Sequence, residues 1–221
     1  MPYSMTSLDI PGHRGERVPN TFYARDGGAE DIGILLPGIG YTAQMPLLWY
    51  VRRLLQERGA DVLAVDYAYM TRPEFQRFGS EAEERLRADV TAALQSALGY
   101  QRYARVTLVG KSLGTLAMGY LLADQLVEPW CAIWLTPLLR REEVFAQMLR
   151  QKSRSLIVIG TADSHYDPAL LRQLKEATGG QELVVDGADH GMEIEGDTLC
   201  TVQAMEQIVE AVQRVLAGNP S

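Results

Sequence analysis

The chain has 221 residues, 47% of them hydrophobic and 22% charged, which is the balance of an ordinary globular protein with one substantial core and too little length for two. Twenty-one Lys and Arg face 28 Asp and Glu, a formal charge of −7, and this counts against nucleic acid or any polyphosphate partner held by non-specific attraction. The first twenty residues hold no apolar signal core and no segment reaches the length of a membrane span, so a cytoplasmic protein without a membrane span is expected.

Residues 1–20 read as a polar N-terminal segment, with His13 expected to be exposed and inert. From 21 to 218 the chain repeats one theme, a short β-branched run followed by a turn and a stretch with helical spacing, which predicts one α/β domain with a mostly parallel sheet and helices on both faces. The predicted strands are TFYAR from 21, IGILLP from 32, DVLAVDY from 61, RVTLVG from 105, AIWLTP from 132, SLIVIG from 155 and ELVVDG from 182. Helical stretches fall between them, among them MPLLWYVRRLLQERG with its glycine stop and SEAEERLRADVTAALQSALG, which opens with Ser80 and Glu83 spaced as a capping box. TVQAMEQIVEAVQRVLAG closes the chain. Only REEVFAQMLRQK separates AIWLTP from SLIVIG, so there is no room for a large lid and the site should be open. The basic run Arg150, Lys152 and Arg154 reads as a solvated face. Cys131 and Cys200 lack metal-ligand spacing and read as reduced, buried thiols; no metal or cofactor is expected.

Two glycine-bearing turns could carry chemistry. In RVTLVGKSLGTLAMGYLL the letters GKS suggest a phosphate loop, but that loop needs a glycine five positions before Gly110, where Arg105 stands in the strand. The same residues give GxSxG, with Gly110 and Gly114 around Ser112, placed between a strand and a helix as a nucleophilic serine requires. In ILLPGIGYTAQM, GxGxxA at 38–43 follows a strand and Asp66 ends the next one, the parts of a dinucleotide fingerprint for a nicotinamide cofactor. Pro37 before the first glycine, Tyr41 after the second and an earlier strand in the chain weigh against it. The turn serves equally to offer a backbone N–H to an oxyanion.

A serine needs an imidazole to take its proton. His190, in VVDGADHGME after the last predicted strand, is the favoured base, and His165, in IGTADSHYDP, is the runner-up. Asp163 and Asp167 are both available to orient the imidazole. Tyr41, Tyr67, Tyr69, Phe75 and Tyr166 follow strand ends and could line a substrate pocket or simply pack.

Through GKSLG, IGTADSHYD and GADHG, in the order serine, aspartate, histidine, the chain resembles the α/β-hydrolase superfamily over nearly its whole length from about residue 21. The resemblance implies Ser112 as nucleophile, His190 as general base and acid, Asp163 as the orienting carboxylate and the backbone N–H groups of Leu113 and Ile39 as oxyanion donors. Many relatives have His-Gly before the latter loop, where this chain has Pro37 and Gly38. The implied activity is hydrolysis of a small-molecule ester, thioester, lysophospholipid or amide through an acyl-enzyme. A non-catalytic binding protein on the same fold is the alternative of a different class.

Overall fold

The computed structural model describes residues 2–151 and 154–218; Lys152 of the basic run lies outside them. In chain order the elements are strands β1 (Tyr3–Thr6), β2 (Asn20–Arg25) and β3 (Asp31–Leu36), helix α1 (Pro46–Glu57), β4 (Asp61–Val65), a one-turn α2 (Pro73–Gln76), α3 (Ser80–Tyr100), β5 (Arg105–Lys111), α4 (Leu113–Ala123), β6 (Cys131–Leu135), α5 (Glu142–Arg150), β7 (Arg154–Gly160), α6 (Pro168–Thr178), β8 (Gln181–Val185) and α7 (Thr198–Ala217).

The strands join in the order β1-β2-β4-β3-β5-β6-β7-β8. Every pairing from β4 to β8 is parallel, while β1 and β2 run antiparallel at one edge. The apolar runs are continuous because helices cover both faces. Ile32, Ile34 and Leu36 of β3 enter the core under α3 and α4, and Leu35 points into the core under α1 and α7. The path leaves β3 for β4 on one side and returns to β5 on the other. At such a reversal the loops leaving the carboxyl ends of β3 and β5 part in opposite directions and open a crevice, the ordinary ligand position of a parallel sheet.

All seven predicted strands form, and three expectations need correction. The N-terminal segment is packed onto the domain: Tyr3–Thr6 extends the sheet alongside β2, and His13 is 4% exposed, with its N–H donating to Asp89 of α3 at 2.7 Å. Ser80 and Glu83 do not form a capping box. Gly79 is the N-cap, and the Glu83 carboxylate instead meets Arg141 at 2.7 Å. Cys131 is buried, as expected, but Cys200 on α7 is only half-buried. Of the basic run, Arg154 lays its guanidinium 4.2 Å over the Trp130 ring, covered on one side by an aromatic face.

Candidate active site

The serine turn is built by close approach. Ser112 has φ 54° and ψ −116°, a left-handed backbone that costs an L residue energy and must be held from outside. Three hydrogen bonds hold it: the Ser112 N–H donates to Leu135 O at 3.0 Å, and Ser112 O accepts from Thr115 N at 2.8 Å and from Thr115 Oγ1 at 2.6 Å, a hydroxyl that in turn accepts from Leu138 N at 3.3 Å. The flanking glycines are steric requirements. A Cβ on Gly110 would lie 2.5 Å from Gly114 O and from Met118 Sδ, and one on Gly114 would overlap Leu36 O. This is the physical content of GxSxG: the helix starts so close to β3 and to its own strand that only hydrogen fits.

His190 and Asp163 reach the serine from the ends of β8 and β7. His190 Nε2 is 2.8 Å from Ser112 Oγ, and Nδ1 is 2.8 Å from Asp163 Oδ2. The Asp163 side chain is wholly buried. Burial pushes its carboxyl up, but hydrogen bonds from His190 and from the His165 N–H, 2.9 Å from Oδ1, outweigh that and hold it below the usual carboxylate value. An ionised carboxylate only accepts, so Nδ1 carries the proton and Nε2 turns its lone pair to the serine hydroxyl. The Asp163 loop and the His190 loop are joined through Ala162 N–H to Ala188 O at 3.0 Å. Asp189 shapes the turn beyond: its Oδ1 accepts from Gly191 N at 2.7 Å and Glu193 N at 2.9 Å.

The residues left open in the sequence fall into distinct places. Asp167 caps α6, accepting from Ala169 N and Leu170 N. The His165 ring lies 5.4 Å from that of His190, and burial lowers its pKa against the opposing pull of Asp163. Leu113 begins α4 and Ile39 is exposed in the loop after β3; neither backbone N–H has a protein acceptor among the described residues. Gly38 brings that loop against the serine, since a Cβ there would be 3.1 Å from Ser112 Cβ.

The structure does not gather the tyrosines into one pocket. Tyr41 packs on the α1 and α7 side of the sheet, whereas Tyr67 and Tyr166 pack on the other. Tyr67 stacks on Tyr69 at 4.4 Å, and Tyr69 stacks on Phe75 at 3.9 Å. The buried Tyr69 hydroxyl donates to Asp89 at 2.7 Å, so Tyr69 and Phe75 are packing residues. Tyr41 lines a groove of about 610 Å³ with Met45, Tyr50, Gly191, Met192 and Met205. Its hydroxyl accepts from Leu47 N at 3.0 Å, which caps α1 where the dinucleotide reading would seat a pyrophosphate. Asp66, the acid of that reading, accepts from Ala43 N at 3.4 Å and braces the loop from below.

Two residues of this region went unread in the sequence. One is Asp189. The other is Lys111, which is 3% exposed and donates from Nζ to His190 O at 3.0 Å.

A doubly wound sheet that lifts a serine on a strained strand-to-helix turn, with a histidine and a buried aspartate from later strand ends, is the architecture of an α/β hydrolase. The chain belongs to that family: the model described as alpha/beta hydrolase domain matches residues 31–217. No curated protein matches it in sequence. Among solved structures it is similar to a putative alpha/beta hydrolase of unknown function from Agrobacterium tumefaciens, at 19% identity and TM-score 0.71 with 100% of both chains covered. It is also similar to an esterase from Pyrococcus furiosus, at 16% identity and TM-score 0.64 with 96% of this chain and 91% of the other covered. A third is a Butyrivibrio proteoclasticus protein solved with ferulic acid bound, at 13% identity and TM-score 0.65, covering 91% and 95%. At these identities the likeness concerns the fold.

Proposed function

We propose that the protein is a serine hydrolase that cleaves an ester or related acyl bond of a small molecule through an acyl-enzyme. The observation that carries this reading is the unbroken relay from Asp163 Oδ2 through His190 to Ser112 Oγ, each step 2.8 Å. Ser112 Oγ attacks the acyl carbon while His190 Nε2 takes the hydroxyl proton; Asp163 stabilises the imidazolium that forms. The tetrahedral oxyanion is received by the N–H groups of Leu113 and Ile39. His190 then gives its proton to the leaving oxygen as the acyl–oxygen bond breaks. Water attacks the acyl-enzyme, loses a proton to Nε2, and the acid leaves as Ser112 Oγ regains that proton.

The groove beside Tyr41 and Gly191 is walled by Met45, Met192 and Met205 and edged by Glu193 and Glu206, which suits an uncharged apolar group better than an anion. The test is turnover of chromogenic esters spanning short acyl chains and hydroxycinnamoyl groups, the latter because one similar fold holds ferulic acid. Turnover is expected for the natural sequence and is lost in Ser112→Ala at unchanged melting temperature. Equal turnover by pure Ser112→Ala protein rejects the assignment.

A further inference from the structure

We infer that Lys111 is a positioning residue, whose ammonium ties the His190 loop and the Gly38–Tyr41 loop to the serine turn and so keeps the relay aligned. The inference rests on the serine-hydrolase reading above.

Lys111 ends β5 and directly precedes Ser112. Its side chain leaves the sheet on the face opposite Gly110 and runs under both loops. On the way it passes Gly38, where a Cβ would lie 3.6 Å from Lys111 Cδ. At its tip Nζ donates to His190 O at 3.0 Å and sits 4.7 Å from the centre of the Tyr41 ring. One side chain therefore touches the loop that carries the proposed base and the loop that carries a proposed oxyanion donor.

The charges facing it come from each neighbouring loop. Asp163 from the acid loop and Asp189 from the histidine loop favour the ammonium. The glycine loop contributes the electron-rich face of Tyr41, and His190 offers its carbonyl. Against these, burial favours the neutral amine and pulls the Lys111 pKa down to about 8. A methionine would fill the same channel without desolvating a charge, so filling space does not explain an ammonium here. Holding a carbonyl and a ring face at once does, and a cation performs both.

The ammonium is lost as pH rises through about 8. Alignment should weaken over that range, and the reactivity of Ser112 should fall with it.

The experiment measures the second-order rate of labelling by a fluorophosphonate between pH 6 and 10, for the natural sequence and for Lys111→Met. Labelling reports the reactivity of the serine without any choice of substrate. The natural sequence is expected to lose reactivity above about pH 8. Lys111→Met is expected to be slower at pH 7 by about tenfold to a hundredfold, the scale of an ångström of misalignment, and flat above pH 8. Thermal melting of both proteins at pH 7 establishes that the variant is folded. A Lys111→Met profile that superimposes on the natural one overturns the inference and leaves the hydrolase reading intact. A folded natural protein that is unlabelled at every pH overturns both.

Discussion

Gly114 leaves no space beneath Leu36: a Cβ added to it would overlap the Leu36 carbonyl oxygen at the end of β3. The serine turn and the glycine loop are thus fixed to each other through backbone. Gly114→Ala must push α4 away from β3, and overpacking of this kind costs about 1–3 kcal/mol and sometimes more. Urea denaturation should show a loss of at least about 2 kcal/mol, together with loss of serine labelling. A variant as stable and as reactive as the natural protein would show that α4 does not sit this tightly.

The two aspartates of the acid loop separate by their partners. Asp163→Asn removes the acceptor that fixes the His190 tautomer and is expected to lower kcat by a factor on the order of a thousand or more. Asp167→Asn keeps a competent N-cap, since Asn and Asp cap about equally well, and should leave kcat within about twofold. Steady-state turnover of both variants on one ester decides the ranking; the reverse order would transfer the orienting role to Asp167.

The lowered pKa of Asp163 has a stability consequence at acid pH. A carboxyl whose folded value lies below its unfolded value of about 3.9 binds its proton later in the folded state. Its contribution is complete above that unfolded value and is lost as pH falls through the lower, folded one. The stability advantage of the natural protein over Asp163→Asn should therefore shrink as pH falls below about 4. Urea midpoints at stepped pH measure it, and a difference that grows toward acid would give the shift the opposite sign.

Lys111 carries a linkage of the same sign at alkaline pH, although here it is the neutral form that folding favours. Its folded pKa is lowered from 10.5 to about 8, so between those values the unfolded chain still holds a proton that the folded protein has released. The stability owed to this group rises with pH through that window, by up to roughly 3 kcal/mol. The natural protein should gain on Lys111→Met by that order between pH 7 and 10 in paired denaturation curves, while losing serine reactivity over the same range. A pH-independent difference between the two proteins would mean that the ammonium is not desolvated.

What the sequence disclosed follows the range of the interactions concerned. Strands β2 to β8 were readable because they are short apolar runs bounded by turns, and in the central strands that apolarity comes from burial on both faces. β1, in YSMT, was not readable: it is an edge strand with Met5 exposed, and only pairing with β2 makes it extended. The start of helix α6 is less legible than its presence between two strands, since Asp167 and Pro168, its N-cap and first residue, directly follow the acid loop. Ser112, Asp163 and His190 were legible because each sits in a local motif with its own backbone demands. Lys111 was not, since its meaning is a carbonyl 79 positions away. His13 failed for the same reason: a polar local sequence gives no sign that Asp89 of α3 waits to receive its N–H.

The central claim is that His190 activates Ser112, and covalent labelling reads it most directly. After exposure to a fluorophosphonate at neutral pH and digestion, the modified residue is located by mass. The expected result is one modified peptide, carrying the adduct on Ser112, that is absent in Ser112→Ala and strongly diminished in His190→Ala. Modification elsewhere in the chain, or undiminished labelling of Ser112 when His190 is replaced, would contradict the account.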